Sequence, residues 1–128
     1  MNLQISEQKY LELKECVKKW LISINNKEEL PEDIVALNFG LYEPYGIELI
    51  GAKEYNVEDD DWACEEDFEP NQRYCPNFEI DDTIEWEYVL DTVVKLLKEL
   101  IVELDYLNIL NVQHITTGFC DGDLVVIK

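Results

Sequence analysis

Ile34-Val-Ala-Leu-Asn-Phe-Gly-Leu-Tyr-Glu-Pro-Tyr-Gly46 is where the apolar period of the chain changes. Val35, Leu37, Phe39 and Leu41 recur at every second residue, so an extended segment puts all four on one face. Glu43-Pro44-Tyr45-Gly46 then has proline and glycine placed for a tight turn. Ile47 to Tyr55 reads as the returning strand, which makes a β-hairpin over about residues 33–55.

On either side the period is helical. Tyr10, Leu13, Val17, Trp20, Leu21 and Ile24 fall three and four apart, predicting a helix over about residues 6–25 with one buried stripe and Asn25-Asn26 as its stop. Lys14, Lys18 and Lys19 alternate with Glu12 and Glu15 on what reads as its solvated face. Downstream, Asp82 and Glu85 stand in capping-box spacing. They precede Trp86, Val89, Leu90, Val93, Leu96, Leu97, Leu100, Leu104 and Leu107, a broad apolar face that predicts a second helix over about residues 83–107. His114 to Cys120 and Leu124 to Ile127 flank Asp121-Gly122, a favoured two-residue turn, giving a second hairpin over about residues 112–127. These elements combine as a two-layer α+β fold in which an antiparallel sheet from the two hairpins carries both helices on one face. The chain of 128 residues suits a single domain.

Charge narrows the functional classes. Ten Lys and Arg stand against 29 Asp and Glu, a formal net charge of −19. Binding to nucleic-acid phosphates or to anionic lipid needs a concentrated cationic surface, so neither is expected, whereas a basic protein partner is. The hydrophobic fraction of 47% places the chain outside the composition of disordered proteins. No basic-then-apolar leader and no run of roughly 18 apolar residues occurs, so the expectation is a cytoplasmic protein. Cys16, Cys64, Cys75 and Cys120 are scattered through a chain with enough core of its own. A disulfide framework is not expected, and Cys16 and Cys120 read as small buried side chains.

The acids are not evenly spread. From Glu54 to Glu87, 34 residues hold 14 acids and one base, Arg73, together with Trp62, Phe68, Tyr74, Phe78 and Trp86. Large aromatics are foreign to a floppy acidic linker, so residues from about 56 to 82 read as a packed excursion between the two halves of the fold.

Catalytic patterns are weak. His114 is the single histidine, and in a strand it lies six residues from Cys120, about 20 Å away. Neither a phosphate-cradling glycine loop nor a dinucleotide fingerprint is present. Asp59 and Asp61 begin like a calcium loop, but Ala63 and Cys64 occupy the positions that need an oxygen ligand and a glycine. Cys64 and Cys75 fall outside the short spacing of zinc sites. We expect no enzyme, no metal site and no cofactor.

What remains is Asp59-Asp-Asp-Trp-Ala-Cys-Glu-Glu-Asp-Phe-Glu69. Its carboxylates accept bidentate hydrogen bonds from arginine, and an aromatic ring fills a pocket or stacks beneath a guanidinium. The expected partner-binding residues are therefore Asp59, Asp60, Asp61, Trp62, Glu65, Glu66, Asp67, Phe68 and Glu69, with Trp62 and Phe68 as apolar anchors. In size, charge, α+β organisation and this segment the chain resembles the small acidic immunity proteins of bacterial polymorphic-toxin and contact-dependent inhibition systems. That resemblance implies binding to a cognate toxin, often a basic nuclease, by covering its active site or nucleic-acid groove. An alternative is a nucleic-acid mimic or acidic adaptor on a DNA-binding or regulatory protein, with carboxylates spread like phosphates. A third, less favoured, is a small enzyme or metal-dependent hydrolase, which would need a pocket joining His114 to a buried acid or thiol.

Overall fold

The computed structural model describes residues 5–128. In chain order they form α1 (Glu7–Lys27), β1 (Ala36–Tyr42), β2 (Gly46–Ala52), a short 3-10 turn (Asp60–Cys64), α2 (Trp86–Glu103), a second 3-10 turn (Asn108–Leu110), β3 (His114–Phe119) and β4 (Val125–Val126). One sheet of order β2-β1-β3-β4 carries both helices, an α+β architecture.

Helix α1 starts where Ser6 accepts a hydrogen bond from the Lys9 N–H at 3.1 Å, and it buries the six residues of its apolar stripe, Tyr10, Leu13, Val17, Trp20, Leu21 and Ile24. Helix α2 buries Val89, Val93, Leu96, Leu97 and Leu100, with Leu104 and Leu107 buried just beyond its end. Its start is later than the capping-box spacing suggested. Asp81 takes the N–H and hydroxyl of Thr83 at 2.9 and 2.7 Å, which holds residues 81–84 in a turn and leaves Glu85 as a cap without a side-chain bond. Lys14 ties the helices together through Glu103 at 2.5 Å and Glu99 at 3.4 Å.

The first hairpin forms as expected, with Leu41 opposite Ile47 and Ala36 opposite Ala52. The sheet as a whole is mixed, not antiparallel, because β1 and β3 pair in parallel, from Ala36 beside His114 to Leu41 beside Phe119. Helix α2 returns the chain to the end of the sheet where β1 begins, so β3 enters alongside β1 in the same direction. The last hairpin is also looser than a two-residue turn. Its ladder pairs Thr116 with Val126 and Thr117 with Val125, and Ile115 continues it by exchanging backbone hydrogen bonds with Ile127 and Lys128. Gly118 lies under the returning chain, where a Cβ would come within 2.9 Å of the Asp123 carbonyl oxygen. Cys120 falls in that connection and is exposed, contrary to the expectation of a buried thiol.

Strand alternation sorts the two faces. Leu37, Phe39, Leu41, Ile47, Leu49, Ile115 and Phe119 join the helices in the main core. Ala36 and Ala52 face the other way and form a second buried cluster with Trp62, flanked by Val35, Tyr55, Ala63 and Leu124. Val35 therefore departs from the face expected for it, since it precedes β1 and packs with this second cluster.

The acidic excursion covers what the helices do not. Its first half lays the 3-10 turn on the second face of the sheet. Its second half runs along the outer edge of β2: the N–H groups of Leu49 and Gly51 donate to the carbonyls of Arg73 and Phe68 at 3.0 and 2.8 Å, and those of Phe68 and Cys75 donate to Gly51 and Ile47, each at 3.0 Å. Edge groups that would otherwise be open are thus satisfied. Among the described residues no helix is long and apolar enough to cross a membrane.

Candidate functional site

Three consecutive acids open the 3-10 turn, and the turn sends them in different directions. Asp59 caps it by accepting the Asp61 N–H at 3.0 Å. Asp60 reaches the other way, to the N–H of Leu124 at 3.4 Å. Asp59 and Asp61 then line a cleft of about 440 Å³ together with Glu54, Tyr55, Asn56, Trp62 and Glu65.

Aromatic packing makes the floor of that cleft. Trp62, only 4% exposed, lies against Ala36 and Ala52, whose small side chains leave room for an indole. Tyr55 tilts against it with ring centroids 5.1 Å apart, and it also stacks on His114 at 3.7 Å and 7° between planes. His114 is thereby held as a packing partner. Among the described residues it has no hydrogen bond to a thiol, and the thiols of Cys16 and Cys75 face backbone carbonyls.

The carboxylates of the segment fall into two groups. Arg73 gathers Glu66 at 2.6 Å, Glu48 at 3.2 Å and Glu69 at 3.2 Å. Hydrogen bonding to this guanidinium holds the Glu66 carboxyl below its usual range. Asp67 accepts the Lys53 N–H at 2.8 Å, which turns the chain out of β2. Around the cleft the balance is opposite. Among the described residues no Lys or Arg comes within ion-pair distance of Glu54, Asp59, Asp61 or Glu65. Glu65 has its carboxyl pushed up, first by the charge of Glu54, then by desolvation and by Asp67. The sign follows: its charged form is disfavoured in the fold, and lowering the pH through that raised value relieves repulsion.

Of the nine residues expected from the sequence, the cleft brings together Asp59, Asp61, Trp62 and Glu65. Glu66 and Glu69 are neutralised by Arg73, Asp60 and Asp67 are engaged with backbone, and Phe68 is buried beside Gly51. Trp62 and Phe68 both pack into the chain's own fold; the tryptophan that faces solvent is Trp86, 50% exposed. Glu54, Tyr55 and Asn56 belong to the cleft but read in sequence as the end of a strand and its sequel. Tyr55 beside an acidic run was the one available signal. Among the described residues no group of three or more His, Cys, Asp or Glu is placed to hold a metal ion.

Uncompensated repulsion has a measurable consequence. Raising ionic strength from a few millimolar to physiological values is expected to raise the melting temperature by several degrees, because screening acts most on exposed like charges. A flat or falling melting temperature in a calorimetric salt series would show that the cleft carboxylates do not strain the fold.

Comparison of the chain with protein-family models, with curated proteins and with solved structures gives no match.

Proposed function

We propose that the protein binds and neutralises a basic protein partner, acting as an immunity protein that blocks a cognate bacterial toxin. One observation carries this reading: four carboxylates, Glu54, Asp59, Asp61 and Glu65, converge on a cleft floored by Tyr55 and Trp62, without a cation of the chain's own among the described residues. A lysine or arginine from a partner supplies the missing charge above this floor and relieves the repulsion that lifts Glu65. The surrounding charge of −19 steers a basic surface toward it. A nucleic-acid mimic would instead space its carboxylates along a surface like phosphates; convergence on one hollow favours a discrete cationic side chain.

A basic protein encoded beside this gene would be the first partner to titrate. Neutralising Asp59→Asn, Asp61→Asn and Glu65→Gln together is expected to weaken binding at least about tenfold and to flatten its salt dependence. Neutralising Glu7, Glu12 and Glu15 on α1, across the sheet from the cleft, is expected to change affinity little. Equal losses from the two triple variants would mean that total charge, not the cleft, governs binding.

A further inference from the structure

Cys16 on α1 and Cys75 in the run along β2 meet where the excursion crosses the helix. The Cys75 thiol lies 3.7 Å from the Cys16 carbonyl oxygen, and the Cys16 thiol lies 3.5 Å from the carbonyl oxygen of Asn77, two residues beyond Cys75. Both sulfurs therefore flank the same three-residue stretch. They differ in access: Cys75 is buried and Cys16 is partly exposed. A groove of about 690 Å³ opens onto Cys16 between α1 and the excursion, lined also by Trp20 and Pro76 and edged by Glu12, Glu15 and Lys19. That volume is in the range that admits a small molecule.

We propose that Cys16 and Cys75 form a dithiol modification site, in which Cys16 exchanges with a small disulfide entering through this groove and Cys75 closes a Cys16–Cys75 bond behind it. This goes beyond the binding reading and does not rest on it. In the first step Cys16 loses its proton to solvent, and the thiolate attacks one sulfur of the incoming disulfide. The S–S bond breaks, and one thiolate leaves and takes up a proton. In the second step Cys75 loses its proton and attacks Cys16 Sγ, displacing the second thiolate. Two cysteines are thereby oxidised by two electrons, and one small disulfide is reduced to two thiols. Burial pushes the Cys75 thiol up, so the second step is the slower. The rim selects among reagents: two acids against one lysine, in a chain of charge −19, favour a cationic disulfide over an anionic one. The bond would fasten α1 to the cover of the β2 edge.

The test uses the full chain carrying Cys64→Ser and Cys120→Ser, treated near neutral pH with cystamine or with glutathione disulfide and followed by intact mass. The expected course is a mixed disulfide on Cys16 that rises and then decays to a species about 2 Da lighter than the reduced protein, with a Cys16–Cys75 peptide on digestion. At low salt cystamine reacts about tenfold faster than glutathione disulfide, and the two converge as salt is raised. The oxidised form melts about 10 °C higher, as expected for closing a long loop. Adding Cys75→Ser makes the Cys16 adduct persist. Should that variant fail to fold, Cys16→Ser serves instead and leaves Cys75 unmodified in the folded protein. A Cys16 adduct that persists with Cys75 present, modification of Cys75 before Cys16, or no reaction with either reagent overturns the proposal.

Discussion

Trp62→Ala is expected to lower stability by about 3–5 kcal/mol, the usual loss when a buried tryptophan is truncated and its surroundings relax only in part. The expectation rests on what lies beneath the ring. Ala36 and Ala52 are fully buried yet have only methyl groups with which to fill the space, and Tyr55 packs on both the indole and His114. Removing the indole therefore uncovers a stretch of sheet and loosens Tyr55 together with the 3-10 turn that carries Asp59 and Asp61. Trp62→Phe retains part of the cover and should lose less than half as much. Urea denaturation of the two variants checks this. A loss below about 1 kcal/mol for Trp62→Ala would place the ring at a surface that solvent can fill, and the cleft would then have no fixed floor.

Arg73→Met is expected to lower stability by about 2–3 kcal/mol at neutral pH. The side chain is only 14% exposed and faces Glu48, Glu66 and Glu69 at once, so methionine keeps much of the volume but leaves three carboxylates facing one another. Two effects moderate the loss. Glu66 and Glu69 are about half exposed and water shields them, and the Arg73 Nε is enclosed without an acceptor, a defect that methionine removes. The pH dependence separates charge from packing. In the native chain Glu66 is held below its ordinary 4.5, so the stability it contributes is present above that value and is lost as the pH falls through the lowered one. In the variant the cation is gone and protonation relieves the repulsion, so the gap between the two proteins should narrow toward pH 4. A gap that stays constant between pH 7 and pH 4 would assign the loss to packing alone.

The parts of the fold legible in the sequence are those fixed by local period. The stripe of α1 is one example: Tyr10 through Ile24 at helical spacing have no alternative burial on a single helix. The turn at Glu43 to Gly46 is another, since its residues set the hairpin register themselves. The parallel pairing of β1 with β3 is of a different kind. It joins residues 78 apart, Ala36 with His114, through the path of α2, and nothing in either strand encodes it. The site was half legible for a similar reason. Composition located the acids, but their partition was set by the turn geometry that splits Asp60 from Asp59 and Asp61, and by the reach of Arg73 to Glu66 and Glu69. Tyr55 escaped notice because Asp67 captures the Lys53 N–H and ends β2 at Ala52, three residues sooner than its apolar pattern suggested.

The cover on β2 also bears on how another chain can approach. A common mode of recognition adds a strand to an open sheet edge, where main-chain groups supply the affinity and the sequence of the guest matters little. Here the β2 edge is already bonded to Phe68, Arg73 and Cys75, and among the described residues the opposite edge is the short segment of Val125 to Lys128 along β3. A partner is left to meet side chains. Its selectivity then follows the chemistry of individual residues, and single substitutions on either molecule should be enough to retune it.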